Sequence, residues 1–108
     1  NKNALPVVLR GTSKMPEAVA RLFWMKTTGD VYIDPSNLPG APADKQYQLW
    51  AIVDGKPIDA GIISKDIADY RIQKMKSFGK VDAFAITLEK TGGSVTPTMD
   101  EMVVSVKM

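Results

Sequence analysis

Apolar and polar positions alternate along most of the chain, and a helical period is rare. Eight short runs carry the alternation: Leu5–Arg10, Val19–Met25, Asp30–Asp34, Gln46–Val53, Ile58–Ser64, Tyr70–Met75, Ala83–Lys90 and Met102–Lys107. Turn signals separate them, among them Asp54-Gly55, Ser77-Phe78-Gly79 and Thr91-Gly92-Gly93-Ser94. This spacing predicts an all-β fold, an antiparallel β-sandwich of about eight short strands, in a single domain over residues 1–108. Met15–Ala20 is the only helical candidate, one turn at most after Ser13. Tyr70–Met75 is the least strand-like run, because Arg71, Gln73 and Lys74 interrupt its apolar positions. Pro35–Asp44 reads as an ordered crossover loop, and Pro6 puts the first run at a sheet edge or a strand start.

The sharpest local signal is a hairpin. Asp54-Gly55 between Gln46–Val53 and Lys56–Ser64 suits a type I′ turn. That register sets Val53 opposite Lys56, Trp50 opposite Asp59 and Leu49 opposite Ala60. Tyr47, Leu49, Ala51, Ile58, Ala60 and Ile62 then share the core face. Gln48, Trp50, Ile52, Asp59 and Gly61 share the other, with Trp50 placed to cover Gly61. Ile52 makes this second face too apolar for open water, so a neighbouring segment is expected to cover it. In Ala83–Glu89, Phe84, Ile86 and Leu88 point inward, and Ala85, Thr87 and Glu89 point to the other face.

Composition narrows the chemistry. Of 108 residues, 44% are hydrophobic and 24% charged, so disorder is excluded. Fourteen basic against twelve acidic residues leave +2, too small an excess for a nucleic-acid partner. There is no Cys and no His, which removes thiolate and imidazole catalysis, disulfides and the usual zinc, haem and iron–sulfur ligand sets. The six methionines show no metal-binding spacing and read as core fillers. No catalytic residue, metal or cofactor is therefore expected. No apolar run approaches the length of a membrane-spanning helix. The start at Asn1 is neither an initiator Met nor a signal peptide, which suggests a fragment or a processed chain.

Each remaining candidate has a structural reading beside a functional one. Most aspartates sit beside turn residues, where their side chains bond nearby amides. Glu89 ends a strong strand. A structural role outweighs catalysis there, with Lys90, Arg10, Arg21 or the following Gly-rich turn as partners; a carboxylate-pair glycosidase lacks a second strand-borne acid. Thr91-Gly92-Gly93-Ser94 resembles a phosphate cradle only superficially, since an extended segment and not a helix follows. Trp24, Tyr32 and Trp50 are candidates for an exposed ligand face binding envelope glycan or peptide, against core packing as the default for aromatics. Arg71, Lys74, Lys76 and Lys80 read as a solvated edge before they read as a membrane-headgroup patch.

The order of motifs adds a resemblance. Asn37-Leu38-Pro39, Tyr47-Gln48-Leu49-Trp50-Ala51, Asp59-Ala60-Gly61, Ala83–Glu89, Gly92-Gly93-Ser94 and Pro97-Thr98 occur in one series. Together they resemble the C-terminal, extracytoplasmic domain of the anti-sigma-K factor family, over roughly residues 18–106. Lys90-Thr91 departs from the pair that often precedes the two glycines. The resemblance implies a non-enzymatic sensory or regulatory domain of a transmembrane anti-sigma factor that controls an extracytoplasmic-function sigma factor. It implies an inner-membrane protein with this domain in the periplasm. A sigma factor would bind a cytoplasmic domain, a transmembrane helix would anchor the protein, both outside this chain, and a regulatory protease would act at the membrane. The motif residues Tyr47, Leu49, Trp50, Gly61, Thr87, Glu89, Gly92, Gly93, Pro97 and Thr98 are expected to determine the fold.

Overall fold

The computed structural model describes residues 2–66 and 71–108. Eight antiparallel strands form: β1 (Ala4–Gly11), β2 (Val19–Met25), β3 (Val31–Asp34), β4 (Lys45–Val53), β5 (Lys56–Ile63), β6 (Gln73–Lys74), β7 (Ala83–Lys90) and β8 (Met102–Lys107). They are hydrogen-bonded into one sheet in the order β5-β4-β7-β8-β1-β2-β3-β6. The all-β antiparallel reading holds, but the hydrogen bonds do not divide the strands into two separate sheets. The ladder narrows at its middle, where β1 meets β8 only at Arg10↔Ser105 and Gly11↔Val104. The sheet then curls until its two edges approach. Lys76 N–H donates to Ala60 O at 3.0 Å. The Gln73 amide accepts from Ser64 N–H at 2.8 Å and donates to Ser64 O at 3.2 Å.

The curled sheet encloses one core. Leu9, Leu22, Val31, Ile33, Leu49, Ala51, Phe84, Ile86, Val103 and Val104 are fully buried in it. Inward alternation puts most of them there, while Val103 and Val104 are consecutive and enter it together where the β7–β8 register shifts; each large side chain contributes about 1.5–3 kcal/mol on burial. Trp24 of β2 meets Phe84 of β7 edge-on, with centroids 5.5 Å apart, so the two halves of the sheet touch across the core. Pro6 sits within β1, which has β2 along its length but β8 only at its far end. The first half of β1 is thus open on one side, where a missing N–H costs nothing.

Three local expectations need correction. Residues 15–20 form no helix. Two successive turns, closed by Met15 N–H to Thr12 O and Ala18 N–H to Met15 O, lead directly into β2. Tyr70–Met75 shrinks to the two residues of β6, and Tyr70 lies outside the described residues. The hairpin turn forms as expected, with φ positive at Asp54 (51°) and Gly55 (77°), and Trp50 pairs with Asp59. Beyond that pair the register slips, and Leu49 faces Gly61 instead of Ala60. This β-bulge reverses the remaining residues of β5. Ile63, not Ile62, pairs with Tyr47 and enters the core, and Ile58 is left 42% exposed near the turn.

Glycine is required at the bulge. Gly61 has φ +124°, and a Cβ there would sit 3.0 Å from Met75 Cε. Met75, not Trp50, covers the bare glycine. Asp59 Oδ1 accepts the Gly61 N–H at 2.9 Å and fixes the irregular backbone. Gly61→Ala is expected to destabilise the domain by about 1–3 kcal/mol through backbone strain. In urea unfolding, the midpoint should fall with an unchanged slope.

Candidate functional site

The covered second face of β4 and β7 concentrates the polar chemistry of the chain. Pairing of the two strands sets Gln46 beside Glu89, Gln48 beside Thr87 and Trp50 beside Ala85. Residues 91–98 fold back over this face as a strap, followed by a 3-10 turn at Met99–Glu101. The expected covering segment is this strap. Beneath it Gln48 and Glu89 are each 2% exposed, and Trp50 and Thr87 are fully buried.

Glu89 anchors the strap. Its Oε1 accepts from Ser94 Oγ and Thr98 Oγ1, each at 2.8 Å. Its Oε2 accepts from Thr98 N–H at 2.8 Å and Thr87 Oγ1 at 2.6 Å. Thr87 Oγ1 in turn accepts the Trp50 indole N–H at 2.8 Å. Trp50, Thr87 and Glu89 thus form a directed relay of donors that ends on a carboxylate. No cation pairs with Glu89 among the described residues, and the Gly-rich turn and its continuation supply donors instead. Burial pushes the Glu89 pKa up, but the bonds from Thr87, Thr98 and Ser94 outweigh it and hold it below the ordinary 4.5.

Gln48 fastens the strap at a second point. Its Oε1 accepts Ser94 N–H at 2.9 Å, and its Nε2 donates to Ser94 O at 3.1 Å and to Asp59 Oδ1 at 2.8 Å. Gln46 Oε1 accepts Gly92 N–H at 2.8 Å. Asp59 Oδ2 meets Lys76 Nζ at 2.8 Å. Burial raises the Asp59 pKa, but Lys76, Gln48 and the Gly61 amide together bring it below its ordinary value. Gly93 lies against this knot. A Cβ there would collide with Ile62 Cδ1 and stand 2.9 Å from Gln48 Oε1, at a φ of +85°. The turn closes from Gly93 N–H to Lys90 O at 2.8 Å, so Lys90-Thr91 leaves it intact.

The sequence-derived residues therefore divide. Trp50, Thr87, Glu89, Gly93 and Thr98 meet in the clamp, and Gly92 joins it through Gln46. Pro97 immediately precedes Thr98 in the strap. Tyr47 and Leu49 face the core, with the Tyr47 hydroxyl donating to Pro39 O at 2.8 Å and its pKa raised by burial. Gly61 forms the bulge. Trp24, Tyr32 and Trp50 are not brought onto one exposed face. Trp50 is sealed under the strap, and Trp24 packs on Phe84 and donates to Phe78 O at 3.0 Å. Tyr32 pairs with Phe23 while Trp24 pairs with Val31, so the two rings leave opposite sides of the sheet. Sequence reasoning missed Gln46, Gln48, Asp59 and Ser94 as clamp members. Gln48 carried a usable signal, a polar residue two positions from Trp50 on the face that Trp50 and Ile52 make apolar.

No buried side-chain nitrogen or oxygen among the described residues lacks a partner. Each buried polar side chain of the cluster therefore has a partner within the fold. Residues 4–102 match the family described as "Anti-sigma-K factor rskA, C-terminal". The chain belongs to that family. No curated protein and no solved structure matches it. Anti-sigma factors are regulatory proteins that act on sigma factors, and the anti-sigma-K family is membrane-associated in general. No helix among the described residues of this anti-sigma-K domain is long and apolar enough to cross a membrane.

The clamp predicts an acid-sensitive domain. Because the folded Glu89 pKa lies below its unfolded value, its stabilisation is complete above about pH 5. It is lost as pH falls through the lower folded value. Asp30 and Asp59, also lowered, act in the same direction. Glu89→Gln turns an all-acceptor group into one that opposes donors with donors. It should cost about 1.5–3 kcal/mol at neutral pH and flatten the acid limb of a melting-temperature profile recorded from pH 7 to pH 3.

Proposed function

We propose that this domain is the extracytoplasmic regulatory part of a membrane-anchored anti-sigma factor, and that its folded state withholds the segment around residues 1–6 from a regulatory protease. The family match over residues 4–102 carries the reading. The architecture supports it. From Ala4, paired with Met25, the backbone is in the sheet, and just before it Lys26 N–H donates to Asn3 O at 2.7 Å. A protease must take its substrate as an extended free strand, so cleavage within Ala4–Arg10 requires β1 to leave β2 first. Release of the sigma factor would then follow loss of fold or of strand pairing. The domain would sit on the periplasmic side of the inner membrane, with the sigma factor held by a cytoplasmic domain.

The glycan- or peptide-binding alternative relied on a shared aromatic face. The placement of Trp24, Tyr32 and Trp50 gives it no support.

The decisive variant is a core lesion distant from any contact surface. Leu49 is fully buried, and Leu49→Ala should destabilise the domain by about 2–5 kcal/mol. In cells carrying the full anti-sigma factor, it should raise transcription from a sigma-dependent reporter without inducing signal. Unchanged reporter output from a variant shown to melt at lower temperature would overturn the proposal.

A further inference from the structure

The same outer face that carries the clamp holds a second feature, a trough along β7. Strand pairing lays three rows across it. Ile52, Ala83 and Lys107 form the first row; Trp50, Ala85 and Ser105 the second; Thr87 and Met102 close it. The central positions, Ala83 and Ala85, are small, and so is Ser105 beside them, while Ile52, Trp50 and Lys107 on the flanks are large, so the floor is recessed along β7 and toward Ser105 of β8. Pro97, Met99 and Met102 overhang one end, and Gly55, Pro57 and Lys107 frame the other. The cavity measures about 340 Å³, within the range of small-molecule sites. From Ala83 to Thr87 it runs about 13 Å, at roughly 3.3 Å per residue. Met99, at its rim, is 63% exposed although apolar.

The polarity of the trough is uneven. Its walls are mainly apolar, with hydroxyls at Thr87 and Ser105, and Lys107 is the one charged side chain among its lining residues, at the open end. Lys56 is exposed between lining residues Gly55 and Pro57 at the same end. Two acids stand nearby, Asp54 and Asp82. Asp82 Oδ2 is engaged by the Asp54 N–H at 2.8 Å, and neither acid lines the trough. The closed end stops at Thr87, whose hydroxyl joins Trp50 to Glu89.

We propose that this trough binds a single-chain amphiphile with an anionic head, such as a medium-chain carboxylate, with the head at Lys107 and the acyl chain lying over Ala83 and Ala85 beneath Pro97 and Met99. A mainly apolar slot with Lys107 lining its mouth and Lys56 beside it matches that shape and charge. The occupant would bridge the sheet and the strap just beside the Glu89 clamp and hold them together. The inference deepens the regulatory reading by naming a ligand class for it. The binding itself stands or falls on the purified chain, independently of any sigma-factor output.

The test is titration of the 108-residue chain with decanoate, followed by amide NMR shifts and tryptophan emission, with decanol as the neutral comparison. Saturable decanoate binding is expected, with shifts confined to residues 52–57, 83–87 and 97–107 and with a raised melting temperature. Lys107→Glu, a surface change that leaves the fold intact, should weaken decanoate at least fivefold and leave decanol unaffected. Ser105→Phe should fill the slot and abolish binding of both. Should that variant fail to fold, the Lys107→Glu comparison still decides. Absence of saturable binding, shifts centred elsewhere, or equal affinities for decanoate and decanol in both proteins would overturn the proposal. So would sedimentation as a dimer with these same residues protected, which would assign the face to a second copy of the chain.

Discussion

A carboxylate buried without a cation organises this domain. Glu89 is expensive to remove from water, and what makes its burial tolerable is a set of four donors converging from two threonines and a serine. Three of those donors belong to a strap that is otherwise irregular chain. The dependence runs both ways. The strap holds its course because the carboxylate organises it, and the carboxylate stays charged because the strap solvates it. With the strap in place, Gln48, Thr87 and Glu89 on the outer face of β4 and β7 form a second buried layer. Without it, that layer would open to water, although the main core on the opposite face would remain.

Much of the strand pattern was legible from alternation, most plainly on β1 and β2, where inward and outward positions differ in burial; on β4 and β7 both faces are buried. The Asp54-Gly55 turn was legible because few dipeptides accept two successive positive φ angles. The bulge four pairs further along was not. It depends on Asp59 reaching the Gly61 amide and on Met75, distant in sequence, filling the space above. The brief helix expected near Met15 gave way for a related reason. A Cβ on Gly11 would strike Pro16 O at 2.7 Å, so the turn after β1 is pressed directly onto the strand. Glycine and proline there serve close approach, not a helix start.

The clamp was half legible. Alternation places Thr87 and Glu89 on one face, and a Gly-rich turn after Glu89 is an evident source of amide donors. Thr98 is the residue that accomplishes most, with two bonds to the same carboxylate, and it lies nine residues on. Only the returning path of the strap brings it back. The aromatic residues illustrate the opposite failure. Trp24, Tyr32 and Trp50 look like a set by composition, but the side on which each ring emerges follows from strand parity and from the curl of the sheet. Neither is encoded in residue type.

The termini of the fold carry a mechanical consequence. Ala4 begins β1 and Lys107 ends β8, and antiparallel pairing of these strands at Arg10 and Ser105 places both at the same end of the sheet. A load applied between them meets the hydrogen bonds one after another, as in a zipper, and not all at once in shear. Because β8 grips β1 only at Arg10 and Gly11, tension on the start of β1 works mainly against its pairing with β2. The first strand can therefore be peeled from β2 pair by pair, from Ala4 inward, without the load passing first through the opposite half of the sheet and its Glu89 knot.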